Sequence, residues 1–182
     1  MDNINTPEEL LKLMNSINYG FAADDNIYTV DHGFEENVFE KWRLSSPERL
    51  LEKKYGHCYD QVEFEREWFT KHNYKIHTYY EMFLLPYENP YSTHTFLVYE
   101  DNNKYYLFEH ADFFHRGIHE FSSLKELLDS EQQRLIDYNN NQYHMQDEEI
   151  KKYTLYEYEK PEYGIKMIDF IDGILEKGKK IR

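Results

Sequence analysis

Two alternating runs, Thr93-His94-Thr95-Phe96-Leu97-Val98-Tyr99 and Lys104-Tyr105-Tyr106-Leu107-Phe108-Glu109-His110, are separated by little more than the polar Asp101-Asn102-Asn103. Period-2 alternation over this length reads as strand, and so short a turn pairs the two strands as a hairpin. With the pivot near Asn102, position 94 lies roughly across from position 110, and side chains alternate between faces. A histidine therefore opens one strand while carboxylates, Glu109 and slightly later Asp112, end its neighbour.

Around this hairpin the remaining elements read as an α+β chain. A further β-type run covers roughly 74–85, ahead of Pro86-Tyr87-Glu88-Asn89-Pro90, and Tyr153 to Tyr158 alternates like a final strand. Thr6-Pro7-Glu8-Glu9 is a capped helix start, with Thr6 as N-cap and Glu9 completing a capping box, for a helix to about Asn15. Ser46-Pro47-Glu48-Arg49 opens another helix that ends near Tyr55-Gly56, where Gly suits a left-handed C-terminal position. From Cys58 to about His72-Asn73, Val62, Trp68 and Phe69 mark an apolar helical face with Phe64 as an outlier, and Glu63, Glu65, Arg66 and Glu67 fill the wet side. Ser122-Ser123 opens a helix to about Tyr138, Asn139-Asn140-Asn141 marks a loop, and a last helix covers about 164–176 before a basic, frayed tail. Residues 18–45 hold Gly20, Asp24, Asp25 and Gly33 without a sustained period, which predicts irregular structure with one strand at Ile27 to Val30. No internal repeat or long linker divides the chain, so one domain over residues 1–182 is expected: a core at about 45–112, an N-terminal segment before it and a C-terminal segment, 113–182, after it.

Cys58 is the single cysteine of 182 residues. It is barred from an internal disulfide, so it is either a small buried hydrophobe or a nucleophile. Its place where a turn runs into a helix favours the thiolate, because unpaired N–H groups and the helix dipole favour negative charge there. His94 is the candidate base, able to form an ion pair with the thiolate and later protonate a leaving group. A carboxylate behind that imidazole would fix its orientation. The hairpin register favours Glu109, with Asp112 as rival; His57 reads as a local polar contact. An oxyanion site needs a second donor beside the Cys58 N–H, and Tyr19, Asn18 and Trp42 are the candidates. Gln61, one turn beyond Cys58, reads as a local helix residue.

A formal charge of −14 opposes phosphate backbones, so nucleic acid is not an expected partner. No apolar run nears the ~20 residues of a membrane span and the start lacks a leader pattern, which makes a cytoplasmic, membrane-free protein the expectation. The 18 tyrosines and 12 phenylalanines supply a core heavy in aromatics.

Gly56-His57-Cys58-Tyr59-Asp60, His94 opening a strand, and an acid after an aromatic pair resemble the core of the transglutaminase-like superfamily, over roughly residues 45–112. The strings Cys58-Tyr59-Asp60-Gln61-Val62-Glu63 and Thr93 to Tyr99 are similar to small bacterial transglutaminase-like domain proteins. The resemblance implies a papain-like arrangement with Cys58 as nucleophile, His94 as base and Glu109, where the family usually has Asp, as orienting acid. It also implies acyl chemistry on a peptide or protein amide, hydrolysis being favoured over crosslinking because water is always available. No cofactor and no calcium are expected.

Two other readings compete. His110, Asp112, His115 and His119, the last two spaced for one helical face, would serve a metal-dependent hydrolase. An acidic binding module would grip a peptide through Tyr79-Tyr80, Tyr87, Tyr91, Tyr105-Tyr106 and Tyr153 to Tyr158. Acidic stretches such as Asp147-Glu148-Glu149 read as solvated surface, although a negative rim would select basic substrates.

Overall fold

A computed structural model describes residues 3–23, 27–29, 38–86 and 89–182. Asp24, Asp25, Val30, Gly33, Tyr87 and Glu88, which figure in the expectations above, lie outside the described residues.

The chain opens with α1 (Pro7–Met14), capped as Thr6 accepts from the Glu9 N–H at 3.3 Å. Glu9 reaches back one residue further than a capping box requires, accepting from the Asn5 N–H at 2.7 Å. Next come β1 (Asn18–Ala22), β2 (Ile27–Thr29), α2 (Val38–Lys41), α3 (Pro47–Lys53), β3 (Tyr55–Gly56) and α4 (Cys58–Lys71). Then follow β4 (Lys75–Phe83), β5 (His94–Asp101), β6 (Lys104–Glu109), β7 (Gly117–Phe121), α5 (Leu124–Tyr143), α6 (Asp147–Ile150), β8 (Tyr153–Glu157), α7 (Met167–Lys177) and β9 (Lys179–Lys180).

Among the described residues the main sheet is six-stranded and antiparallel, in the order β7-β6-β5-β4-β8-β9. A smaller sheet runs β2-β1-β3, with β1 and β3 parallel. The two faces of the main sheet pack differently because alternate side chains point opposite ways. Tyr80, Leu97, Tyr99 and Phe108 share a core with Trp68, Phe69 and Val62 of α4, whereas Tyr79, Phe96, Val98 and Leu107 pack with Leu127, Leu128 and Leu135 of α5. The chain is thus α+β, with its two longest helices on opposite faces of an antiparallel sheet. Among the described residues no helix is long and apolar enough to cross a membrane.

The β5/β6 hairpin turns at Asn102 and Asn103, whose φ angles of 49° and 61° suit the left-handed region Asn tolerates. Its register, Leu97 opposite Phe108, differs by one residue from the expected one. Continued, it sets Phe96 opposite Glu109 and His94 opposite Ala111, so Glu109 is the diagonal neighbour of His94 on one face.

Several expectations are corrected. Residues 18–22 form a strand rather than irregular structure, and so do residues 117–121. The left-handed residue after α3 is Lys54 (φ 61°); Gly56 lies in β3, where a Cβ would collide with Leu50 Cδ1 and sit 3.1 Å from Asp60 Cβ. Glu63, Glu65 and Arg66 are buried rather than wet, since α4 is covered on both sides. Arg66 pairs with Glu63 at 2.7 Å and Tyr158 donates to the same carboxylate at 3.1 Å. Asn139-Asn140-Asn141 continue α5, because the Asn139 side chain is buried and binds the Ser92 N–H at 2.7 Å and the Leu135 carbonyl at 3.0 Å. The basic tail is tied down: β9 pairs with β8, and Ile181 donates to the Leu155 carbonyl at 2.8 Å. Tyr79, Tyr80, Tyr91, Tyr153, Tyr156 and Tyr158 are core residues, so they offer no gripping surface.

Candidate functional site

The start of α4 is fixed by a buried carboxylate. Asp60 accepts from the His57 N–H at 2.9 Å, the Ser45 N–H at 2.8 Å and the Trp42 indole N–H at 3.0 Å. Burial pushes its carboxyl pKa up against the pull of these three N–H groups, and a carboxylate in the first turn also complements the helix dipole. One residue on, Gln61 donates to the Gly56 carbonyl at 2.8 Å and accepts from His110 Nδ1 at 2.6 Å. Burial and the charge of Arg116 lower His110 to about 4, so it is a neutral N–H donor at pH 7. These contacts hold Cys58 as the first residue of the helix, wholly buried.

Two imidazoles flank the thiol. His57 Nδ1 lies 3.2 Å from Sγ, its ring stacked on Phe21 at 4.4 Å and edge-on to Tyr59 at 4.6 Å. His94, first residue of β5, lies near enough to Cys58 for its charge to act on the thiol and offers Nε2 to Glu109 Oε2 at 2.7 Å. With Nε2 so engaged, Nδ1 is the nitrogen left for sulfur. Burial alone would raise the thiol pKa, but the nearby imidazoles of His57 and then His94 overcome it and hold Cys58 well below the ordinary thiol range. Burial would likewise lower His94, yet the Glu109 charge, the nearby Cys58 thiol and the hydrogen bond to Glu109 raise it well above the usual imidazole range. Both shifts favour a thiolate–imidazolium pair.

Glu109 completes the group. Its burial pushes the carboxyl up, but the His94 charge and hydrogen bond, the Arg134 charge and the Asp112 N–H bring it down to about 2. That N–H donates to Glu109 Oε1 at 2.8 Å. The Asp112 side chain instead pairs with Arg134, so the structure sets Glu109 and not its rival against His94. Arg134 also binds Glu131 at 2.6 Å and lies 3.9 Å from Glu109, linking α5 to the acid.

The candidate oxyanion donors separate. β1 runs parallel to β3 with Tyr19 beside Gly56, which sets the Tyr19 ring 5.1 Å from that of His57 and close to the Cys58 thiol. Trp42 has no N–H to spare, as its indole serves Asp60. Asn18 points away, its amide 3.5 Å from the Lys54 carbonyl.

Nor do His110, Asp112, His115 and His119 form a ligand set: among the described residues no three His, Cys, Asp or Glu side chains are grouped to hold a metal ion. His115 and His119 precede and occupy a strand rather than a helix, and their rings stack at 4.1 Å. Sequence reasoning set His57 aside and missed Arg134. Adjacency to Cys58 was the available signal for the first; a lone Arg on an amphipathic helix gave none for the second.

Set against known protein families, curated proteins and solved structures, the chain matches none.

Proposed function

We propose that this chain catalyses thiol-dependent acyl transfer on an amide or ester, in a papain-like arrangement such as the transglutaminase-like superfamily uses. The observation that carries the proposal is His94, held through Nε2 at 2.7 Å from Glu109 Oε2 and near enough for its charge to favour the Cys58 thiolate. In the first half-reaction the Cys58 thiolate attacks the carbonyl carbon, an Sγ–C bond forms, and the C–N or C–O bond breaks. His94 Nδ1 gives its proton to the departing amine or alkoxide. In the second, His94 takes a proton from water, the oxygen attacks the thioester, and the acid leaves as the thiolate is restored. An amine in place of water gives transamidation; hydrolysis is favoured because water needs no docking surface.

Developing charge on the carbonyl oxygen falls to the Cys58 N–H at the open end of α4 and to the Tyr19 hydroxyl. Glu109 holds the His94 ring and stabilises its cation, as an acid in such a series does. The test is intact-mass detection of an acyl adduct on Cys58 after mixing with p-nitrophenyl acetate, in step with a burst of nitrophenolate. Cys58→Ala must lose adduct and burst, and His94→Ala must lose turnover with the fold retained; unchanged turnover in either variant overturns the proposal.

A further inference from the structure

A cavity of about 270 Å³ opens beside His94, with Tyr19 in its wall. Tyr19 packs its ring 5.1 Å from that of His57, whose Nδ1 is 3.2 Å from Cys58 Sγ, and His94 is near enough for its charge to act on the thiol, so the buried thiol lies behind that wall. The volume sits near the lower end of ligand pockets, which run from about 300 Å³, and suits one side chain rather than a folded segment.

The lining sets what that side chain is. Ala111, Leu135, Phe113 and Phe114 supply apolar surface, and the two phenylalanines are 73% and 92% exposed, rings edge to face at 5.6 Å. Several polar members of the wall are already paired within the protein. The Thr93 hydroxyl meets that of Tyr59 at 2.9 Å, the Ser92 N–H serves Asn139 at 2.7 Å, and Arg134 is paired with Asp112 and Glu131. A charged occupant would be desolvated against groups whose charge is spent, while an apolar one would cover the exposed rings.

We propose that this cavity is the subsite for the substrate residue on the acyl side of the cleaved bond, and that it takes an uncharged aromatic or large aliphatic side chain. The proposal rests on Cys58 being the nucleophile and adds the substrate class to that reading.

Chloromethyl ketones of N-acetylated Phe, Leu, Gly, Lys and Asp test it, since each alkylates a thiolate with formation of an Sγ–C bond and loss of chloride. The second-order rate at Cys58, read by intact mass, is divided by each protein's own iodoacetamide rate. The Phe and Leu probes are expected to react about 10-fold or more faster than the Gly, Lys and Asp probes. Ala111→Trp, which fills the cavity, should bring the Phe-to-Gly ratio toward one. Phe114→Ala, at a side chain too exposed to matter for folding, should lower it as well. Equal rates for all five probes, with an iodoacetamide profile that still depends on His94, would overturn the subsite and leave the nucleophile standing. An iodoacetamide profile of an ordinary thiol, unaffected by His94→Ala, would remove the nucleophile itself and the subsite with it.

Discussion

His94 Nε2 lies 2.7 Å from Glu109 Oε2, and the other oxygen of that carboxylate is held by the Asp112 backbone N–H at 2.8 Å. One oxygen of this buried acid therefore holds the imidazole while the backbone fixes the other, which is the reason its replacement should be felt at sulfur. Glu109→Gln keeps the shape but removes the charge that raises His94. The expected result is a loss of about 10²–10⁴-fold in kcat/KM for an activated ester, together with a rise in the apparent pKa of Cys58 alkylation. A variant within a few-fold of wild type would show that Glu109 is structural only.

The thiol has two imidazole neighbours, and their shares are separable by titration. His57→Phe preserves a ring for stacking on Phe21 and Tyr59 while deleting the nitrogen 3.2 Å from Sγ. Iodoacetamide rates against pH should move upward in apparent pKa for His57→Phe and for His94→Ala, and the double variant should titrate near the ordinary thiol value of about 8.5. Sign follows from charge: removing a cation beside a thiolate disfavours the thiolate. Turnover should separate the two, falling far more in His94→Ala, because His94 has the Glu109 carboxylate on its ring.

Arg134 answers to three carboxylates, Glu109, Asp112 and Glu131, and its loss leaves buried negative charge without a partner. Arg134→Met is expected to cost about 3–5 kcal/mol in urea unfolding. Adding Glu131→Gln, which removes one of the orphaned charges, should restore part of that stability. Additive losses in the double variant would mean that the two residues do not interact as the geometry implies.

The parts of this arrangement readable in the sequence are those written locally. Alternation and the Asp-Asn-Asn turn announce β5 and β6, and with them the proximity of His94 to Glu109, to within a one-residue register error. The start of α4 at Cys58 follows from the turn before it. What escaped depends on distant partners. In the sequence Tyr19 stands only alongside Asn18 and Trp42, because what sets it beside Gly56 is β1 lying parallel to the two-residue β3, a pairing with no local pattern. Asn139 stays helical because Ser92, 47 residues away, binds its side chain. Glu63, Glu65 and Arg66 look like a wet face until a second layer covers α4, and burial then pushes both glutamates above the ordinary carboxylate range.

Glu81 carries the last prediction. It lies opposite His94 in the β4/β5 register, wholly buried, with the Tyr153 hydroxyl donating to Oε2 at 2.8 Å and Oε1 without a hydrogen-bond partner. Burial first, then the charge of Glu131, push its carboxyl up to about 8 against the pull of His94 and Arg134. In the unfolded chain a glutamate titrates near 4.3. Between those values the folded protein holds a proton that the unfolded chain has lost, so this contribution to stability is full below about pH 4 and disappears as pH rises through about 8. Wild type should lose up to about 4 kcal/mol from this group between pH 5 and pH 9. His94, also raised, loses stability in the same direction as pH rises, so the discriminating quantity is the difference between wild type and Glu81→Gln at each pH. Glu81→Gln, neutral at every pH, should be the less sensitive of the two, with its advantage over wild type growing from pH 5 to pH 9. Parallel stability curves in urea across that range would mean that Glu81 is ionised in the folded state at neutral pH.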